Sequence, residues 1–191
     1  MTTPWPDHLL TLADWDARAE DNSRTYELVE GVLVVSPRPT SIHQRVITRL
    51  AWQLERQLPP ELEPLGEVEV VIDARPPATV RVPDLCVVPA LAEAVARWTP
   101  DEVTLAVEIL SPGTRRTDRV TKFAEYAEAG IENYWLVDLE EPISVTAYTL
   151  VAEHYELVAE DSHPIAIDLA GKAIRIDPAA LVAPRVSSTG H

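Results

Sequence analysis

The chain has 191 residues, 46% hydrophobic and 25% charged, with a formal net charge of −15. This composition argues against intrinsic disorder, and the length suits one well-filled domain, taken as residues 1–191 with a frayed tail over 185–191. The excess of acid excludes a protein that coats nucleic acid by bulk electrostatics, while leaving room for a local basic patch or for a divalent cation that reverses the field.

In chain order, Leu9, Leu12 and Trp15 lie at helical spacing and predict a short helix over 8–18. "TYELVEGVLVVSP" reads as two β segments folded about Glu30-Gly31. Residues 40–58 form a longer helix with Val46, Ile47, Leu50, Leu54 and Leu58 on one face, ended by Pro59-Pro60. Strands follow in "GEVEVVIDA", "TVRVPDLCVVP" and "EVTLAVEIL". A helix over 117–129 stops at Gly130, and "ENYWLVDL" is the next strand. The remainder is β-rich, with a last helical turn near 178–182. This order implies an α/β fold, a mixed central β-sheet flanked by helices with extra β-strands at the C-terminus.

No run approaches the roughly 18–20 apolar residues of a membrane span, and "MTTPWPDHLL" lacks a signal pattern, so no membrane association and a cytoplasmic location are expected. The single cysteine, Cys86, rules out an internal disulfide and a Cys-based zinc cluster.

Two carboxylates do not suit their strands. Alternation puts Asp84 on one face with Val80, Val82, Cys86 and Val88, and Glu108 on one face with Ala106 and Leu110. Pro83 marks an edge, bulge or break there. If the two strands are neighbours, the acids converge, and one protonates unless a cation holds both ionised. An oxygen-rich site of that kind suits Mg²⁺ or Mn²⁺. The alternative from the residues alone is structural, with Glu108 paired to an arginine such as Arg81 and Asp84 capping a Pro-Asp turn.

The segments "TYELVEG", "VPDLCVVP" and "LAVEILSPGTRRTDRVTKFAEYAEAGIENYWLVDL" together resemble the Uma-type (Uma-two) family of restriction endonuclease-like proteins, a branch of the PD-(D/E)XK nuclease superfamily, over about residues 24–150. The resemblance implies a restriction endonuclease-like core. It also implies that Asp84 and Glu108 are the metal-binding acids of a Mg²⁺- or Mn²⁺-dependent endonuclease acting on nucleic acid, with DNA as the expected substrate. Leu110 stands where the standard motif has its lysine, and Lys122 matches the lysine that the family carries on the following helix. By helical count Phe123, Tyr126 and Ala127 form the packing stripe, with Lys122 about a quarter-turn to its side.

Glu27 matches an acid of the first motif, as a further ligand or base, or else is an exposed hairpin residue. His43 matches a histidine of the family pattern, or is a hydrogen-bonded core histidine. Asp118 and Tyr126, four residues either side of Lys122, are candidate positioning residues. Arg115 and Arg116, before the helix, are candidates for receiving phosphate, or a solvated loop. A homodimer that gathers two such loops in one groove would offset the acidic surface. The rival expectation is a non-catalytic scaffold on the same fold. A serine hydrolase has little support, since Ser111 sits in no Gly-x-Ser-x-Gly elbow.

Overall fold

The computed structural model describes residues 8–18, 24–36, 38–91, 93–111 and 113–184, so the 185–191 tail lies outside the described residues. The first hairpin pairs β1 (Thr25–Val29) with β2 (Val32–Ser36). Glu30 and Gly31 both take positive φ, as a two-residue turn between twisted strands requires. A Cβ at Gly31 would come within 2.8 Å of Leu9, so the turn tolerates no side chain there. The segment in front of the hairpin forms α1 (Leu12–Asp16), shorter than expected, with Thr11 and Asp14 in a capping box.

Helix α2 (Ser41–Glu55) starts at the Thr40 cap and buries Val46, Ile47, Leu50 and Leu54, the stripe that its spacing predicts. After it come β3 (Leu62–Gly66), β4 (Val70–Asp73), β5 (Thr79–Arg81), β6 (Leu85–Pro89) and β7 (Leu105–Leu110). A π-helical turn, Thr117–Lys122, runs straight into α3 (Phe123–Glu128). Then follow β8 (Asn133–Asp138), β9 (Ser144–Val151), β10 (His154–Asp161), β11 (Ile165–Leu169), β12 (Lys172–Ile176) and α4 (Pro178–Val182).

Six strands form a mixed sheet in the order β10-β9-β8-β7-β6-β3, in which only β7 and β8 run parallel. One face packs Leu85, Val107 and Ile109 against α2, β11–β12 and α4. The other packs Cys86, Ala106 and Leu136 against Tyr126 and Ala127. Burial of each such large aliphatic is worth about 1.5–3 kcal/mol, which fixes the faces firmly. A second sheet, β2-β1-β5-β4, has its own small core of Trp15, Leu28, Ala78 and Val80.

The stretch "TVRVPDLCVVP" is therefore two strands in two sheets, not one. Arg81 ends β5, Leu85 begins β6, and Pro83-Asp84 is the crossing, where a missing N–H costs the ladder nothing. Val80 and Asp84 consequently do not share one continuous face. Likewise "GEVEVVIDA" contributes β4 and only its first residue, Gly66, to β3, whose other residues lie outside every strand the sequence predicts. Among the described residues no helix is long and apolar enough to cross a membrane.

Candidate active site

The β6–β7 register pairs Leu85 with Val107, and its continuation by one residue brings Asp84 opposite Glu108. Side chains directly opposite on such a pair are neighbours, with Cβ atoms about 5 Å apart. The expected convergence of the two acids follows from this register. Asp84 Oδ2 accepts a 2.7 Å hydrogen bond from the Ile109 backbone N–H, so the carboxylate extends the ladder ahead of the first β6 residue, Leu85. The same oxygen lies 3.2 Å from His43 Nε2. Burial lowers the His43 affinity for a proton, but the bond to Asp84 outweighs it and raises the imidazole pKa. His43 is thus buried on α2 and partnered by Asp84, while its Nδ1 has no partner among the described residues.

Glu108 is 3% exposed and does not pair with Arg81. Its Oε1 accepts from Lys122 Nζ at 2.8 Å and from the Tyr126 hydroxyl at 3.0 Å. Lys122, 6% exposed, also lies 3.2 Å from Glu27 and 3.8 Å from Asp118. It is not turned aside from the packing face. The π-helical turn widens the helix just before α3, so that Asp118, Lys122 and Tyr126 all point inward. The Asp118 carbonyl accepts from the Tyr134 hydroxyl at 2.9 Å, which ties the widened turn to β8.

Glu27 is half-buried rather than exposed on its hairpin. Its Oε1 accepts from the Val82 N–H at 3.1 Å, and its Oε2 from Arg81 Nη1 at 3.0 Å. Arg81 holds Glu125 of α3 with two bonds, of 2.7 and 2.8 Å. The structural alternative offered Arg81 to Glu108, whereas Arg81 holds Glu27 and Glu125, and Glu125 was not among the expected site residues. The available signal was an arginine inside a strand beside the Pro-Asp step, where only a paired cation survives burial.

Four acids, Glu27, Glu108, Asp118 and Glu125, therefore face the cations Lys122 and Arg81, while Asp84, opposite Glu108, is held by His43. Burial opposes charge on Lys122, but Glu108, Glu27 and Asp118 outweigh it and hold the ammonium protonated. Burial pushes the Glu108 carboxyl well up. Lys122 pulls it down, but Asp84, Asp118 and Glu27 add to the rise, since one ammonium shared among three acids neutralises none of them fully. Asp118 is raised for the same reason, whereas Lys122 and Arg81 together overcome burial and lower Glu27.

This imbalance is what a divalent cation would relieve. Glu108 uses Oε1 for both its bonds and Asp84 uses Oδ2, so Glu108 Oε2 and Asp84 Oδ1 have no hydrogen-bond partner among the described residues. Among those residues no three His, Cys, Asp or Glu side chains already form a ligand set. Two carboxylates completed by water fit Mg²⁺, which keeps several waters and takes one or two carboxylates.

The candidate phosphate-binding arginines lie apart from this cluster. Arg115 forms a two-pronged bond with Asp138, at 2.7 and 2.9 Å, and reaches Glu140 at 3.0 Å; Arg119 shares Asp138. Arg116 is exposed.

The sheet order and the acid–lysine cluster, where the start of β6 meets the second half of β7, define a restriction endonuclease-like α/β protein. Residues 7–171 match the family Uma2, described as putative restriction endonuclease, and the chain belongs to that family. The fold is similar to the crystal structure of a putative nuclease belonging to DUF820 from Anabaena variabilis ATCC 29413, with a TM-score of 0.71 and 18% identity over 91% of this chain and 97% of that one. No curated protein matches the sequence.

Proposed function

We propose that this protein is a metal-dependent endonuclease that hydrolyses phosphodiester bonds of DNA, with Asp84 and Glu108 as the ligands of one Mg²⁺ or Mn²⁺. The observation that carries the reading is the cross-strand pair of acids, each with one oxygen unpartnered beside a lysine. The cation, when bound, supplies a polarised water and neutralises charge on the phosphoryl group.

The chain's own residues do the rest. Ile109 N–H and His43 fix Asp84, while Tyr126 and Lys122 fix Glu108, so neither ligand has to reorganise on binding. Lys122 keeps its proton at Nζ and offers N–H donors toward the charge that develops as the phosphorus–oxygen bond breaks. Glu27, oriented by Arg81 and Val82, holds that ammonium in place.

The test is cleavage of single- and double-stranded DNA by the wild type, in Mg²⁺ and in EDTA, beside Glu108→Gln and Lys122→Ala. Cleavage that needs Mg²⁺, Glu108 and Lys122 is expected. The second reading, a scaffold without activity, draws on the two bonds that Lys122 and Tyr126 already make to Glu108 Oε1. Absence of cleavage together with absence of metal binding would establish it and overturn the nuclease reading.

A further inference from the structure

We infer that the exposed face of α2 is the surface along which a DNA strand leaves the Asp84–Glu108 site, an inference that rests on the nuclease reading. The helix begins at that site, since His43 in its first turn touches Asp84. From His43 to Arg56, just past its end, it runs about 20 Å, at 1.5 Å per residue. Opposite its buried stripe it presents Gln44, Arg45, Thr48, Trp52, Glu55 and Arg56, with a single acid among them.

This side of the molecule departs from the charge of the whole. Lys172 Nζ donates to the Gln57 carbonyl and the Arg175 N–H to its side chain, which sets the β12 cations beside the end of α2. Arg45, Arg49, Arg56 and Lys172 thus lie along α2 and its end, against the two acids Glu55 and Asp177, in a chain that has 16 Lys and Arg against 31 Asp and Glu. Arg45 and Arg49 also bond carbonyls at the end of α4, which occupies some of their donors without removing their charge. By contrast, the cleft of about 800 Å³ between the second sheet and α3 is lined by Glu30, Asp73, Glu125 and Glu128, with Arg75 as its cation. Phosphate is repelled there and attracted along α2.

Trp52 specifies the partner further. It is 60% exposed, the only exposed aromatic among the described residues, and the Arg56 guanidinium lies 4.7 Å over its ring. A lone exposed apolar side chain needs no explanation. An indole on a cationic helix that leads to a phosphodiester-cleaving site does offer a stacking platform, of the kind that holds unpaired bases while arginines track the backbone.

The test is fluorescence anisotropy of a labelled single-stranded DNA and of a duplex, titrated with the full chain in EDTA at several KCl concentrations. The variants are Trp52→Ala, Arg56→Glu and, as a control for equal charge change on the acidic cleft, Arg75→Glu. Circular dichroism melts confirm that each stays folded. Trp52→Ala should weaken single-strand binding about tenfold. Arg56→Glu should weaken both substrates and lower the salt slope by about one. Arg75→Glu should do neither.

Affinities in Trp52→Ala and Arg56→Glu no lower than in Arg75→Glu would overturn the inference, as would no binding by the wild type at any salt. Mg²⁺-dependent cleavage by the wild type, read in parallel, separates the two claims. Cleavage with α2-independent affinity sinks only the surface, whereas α2-dependent binding without cleavage supports the surface and sinks the nuclease reading.

Discussion

Replacing Lys122 with alanine removes the ammonium from between three buried or nearly buried acids, 2.8 Å from Glu108, 3.2 Å from Glu27 and 3.8 Å from Asp118. At an effective dielectric of about 20, the closest of these attractions alone is about 6 kcal/mol before desolvation is counted. Once solvation of both partners is included, breaking a buried pair costs about 3–5 kcal/mol. For a chain of this size that lowers Tm by about 6–20 °C. The loss should shrink as pH falls. With Lys122 gone, Glu108 and Asp118, already raised by burial, rise further, and an acid with a raised folded pKa costs stability only above the ordinary carboxylate range. Mn²⁺ should restore part of the loss by standing in for the missing charge. Thermal unfolding followed by circular dichroism, with and without Mn²⁺ at two pH values, reads all three effects. A Lys122→Ala melt indistinguishable from wild type at neutral pH would refute the reasoning, because it would mean that the acids do not need a cation.

Other consequences follow from the same contacts. Tyr126→Phe deletes one bond to Glu108 and should cost about 1.5–3 kcal/mol, as for a hydrogen bond to a charged group, with weaker Mn²⁺ affinity seen by calorimetry. His43 has a raised folded pKa, so its pairing with Asp84 adds stability that is complete below the ordinary histidine value near 6.5 and is lost as pH rises through the folded value. In chemical denaturation that increment should be present in the metal-free wild type and missing from His43→Gln. Arg115→Ala breaks a pair that is open to solvent and screened by it, so the melting temperature should hardly move in a circular dichroism melt, with no change in metal affinity.

Much of this was legible in the sequence because periodicity reports burial. The Glu30-Gly31 hairpin, the α2 stripe, the Glu108 strand and the last turn at 178–182 all follow from it. The crossing between sheets at Pro83-Asp84 was not legible, because alternation runs through the break unchanged and only the pairing of Leu28 with Val80, and of Leu85 with Val107, assigns the halves to different sheets. β3 escaped because Glu, Pro and Gly disfavour strands, and its pairing with β6 overrides that preference. The inward turn of Lys122 depends on a π-helical turn, which a count at 3.6 residues per turn cannot register. The Arg81 clamp on Glu27 and Glu125 joins residues 54 and 44 positions away, a contact that only the tertiary fold creates.

The most direct test of the central claim is a calorimetric titration of Mn²⁺ into the metal-free protein and into Asp84→Asn. Saturable binding of about one ion is expected in the wild type and none in the variant, which lacks one of the two carboxylate ligands. Equal binding by both proteins, or none by either, would contradict the assignment of Asp84 and Glu108 as the ligands of a metal.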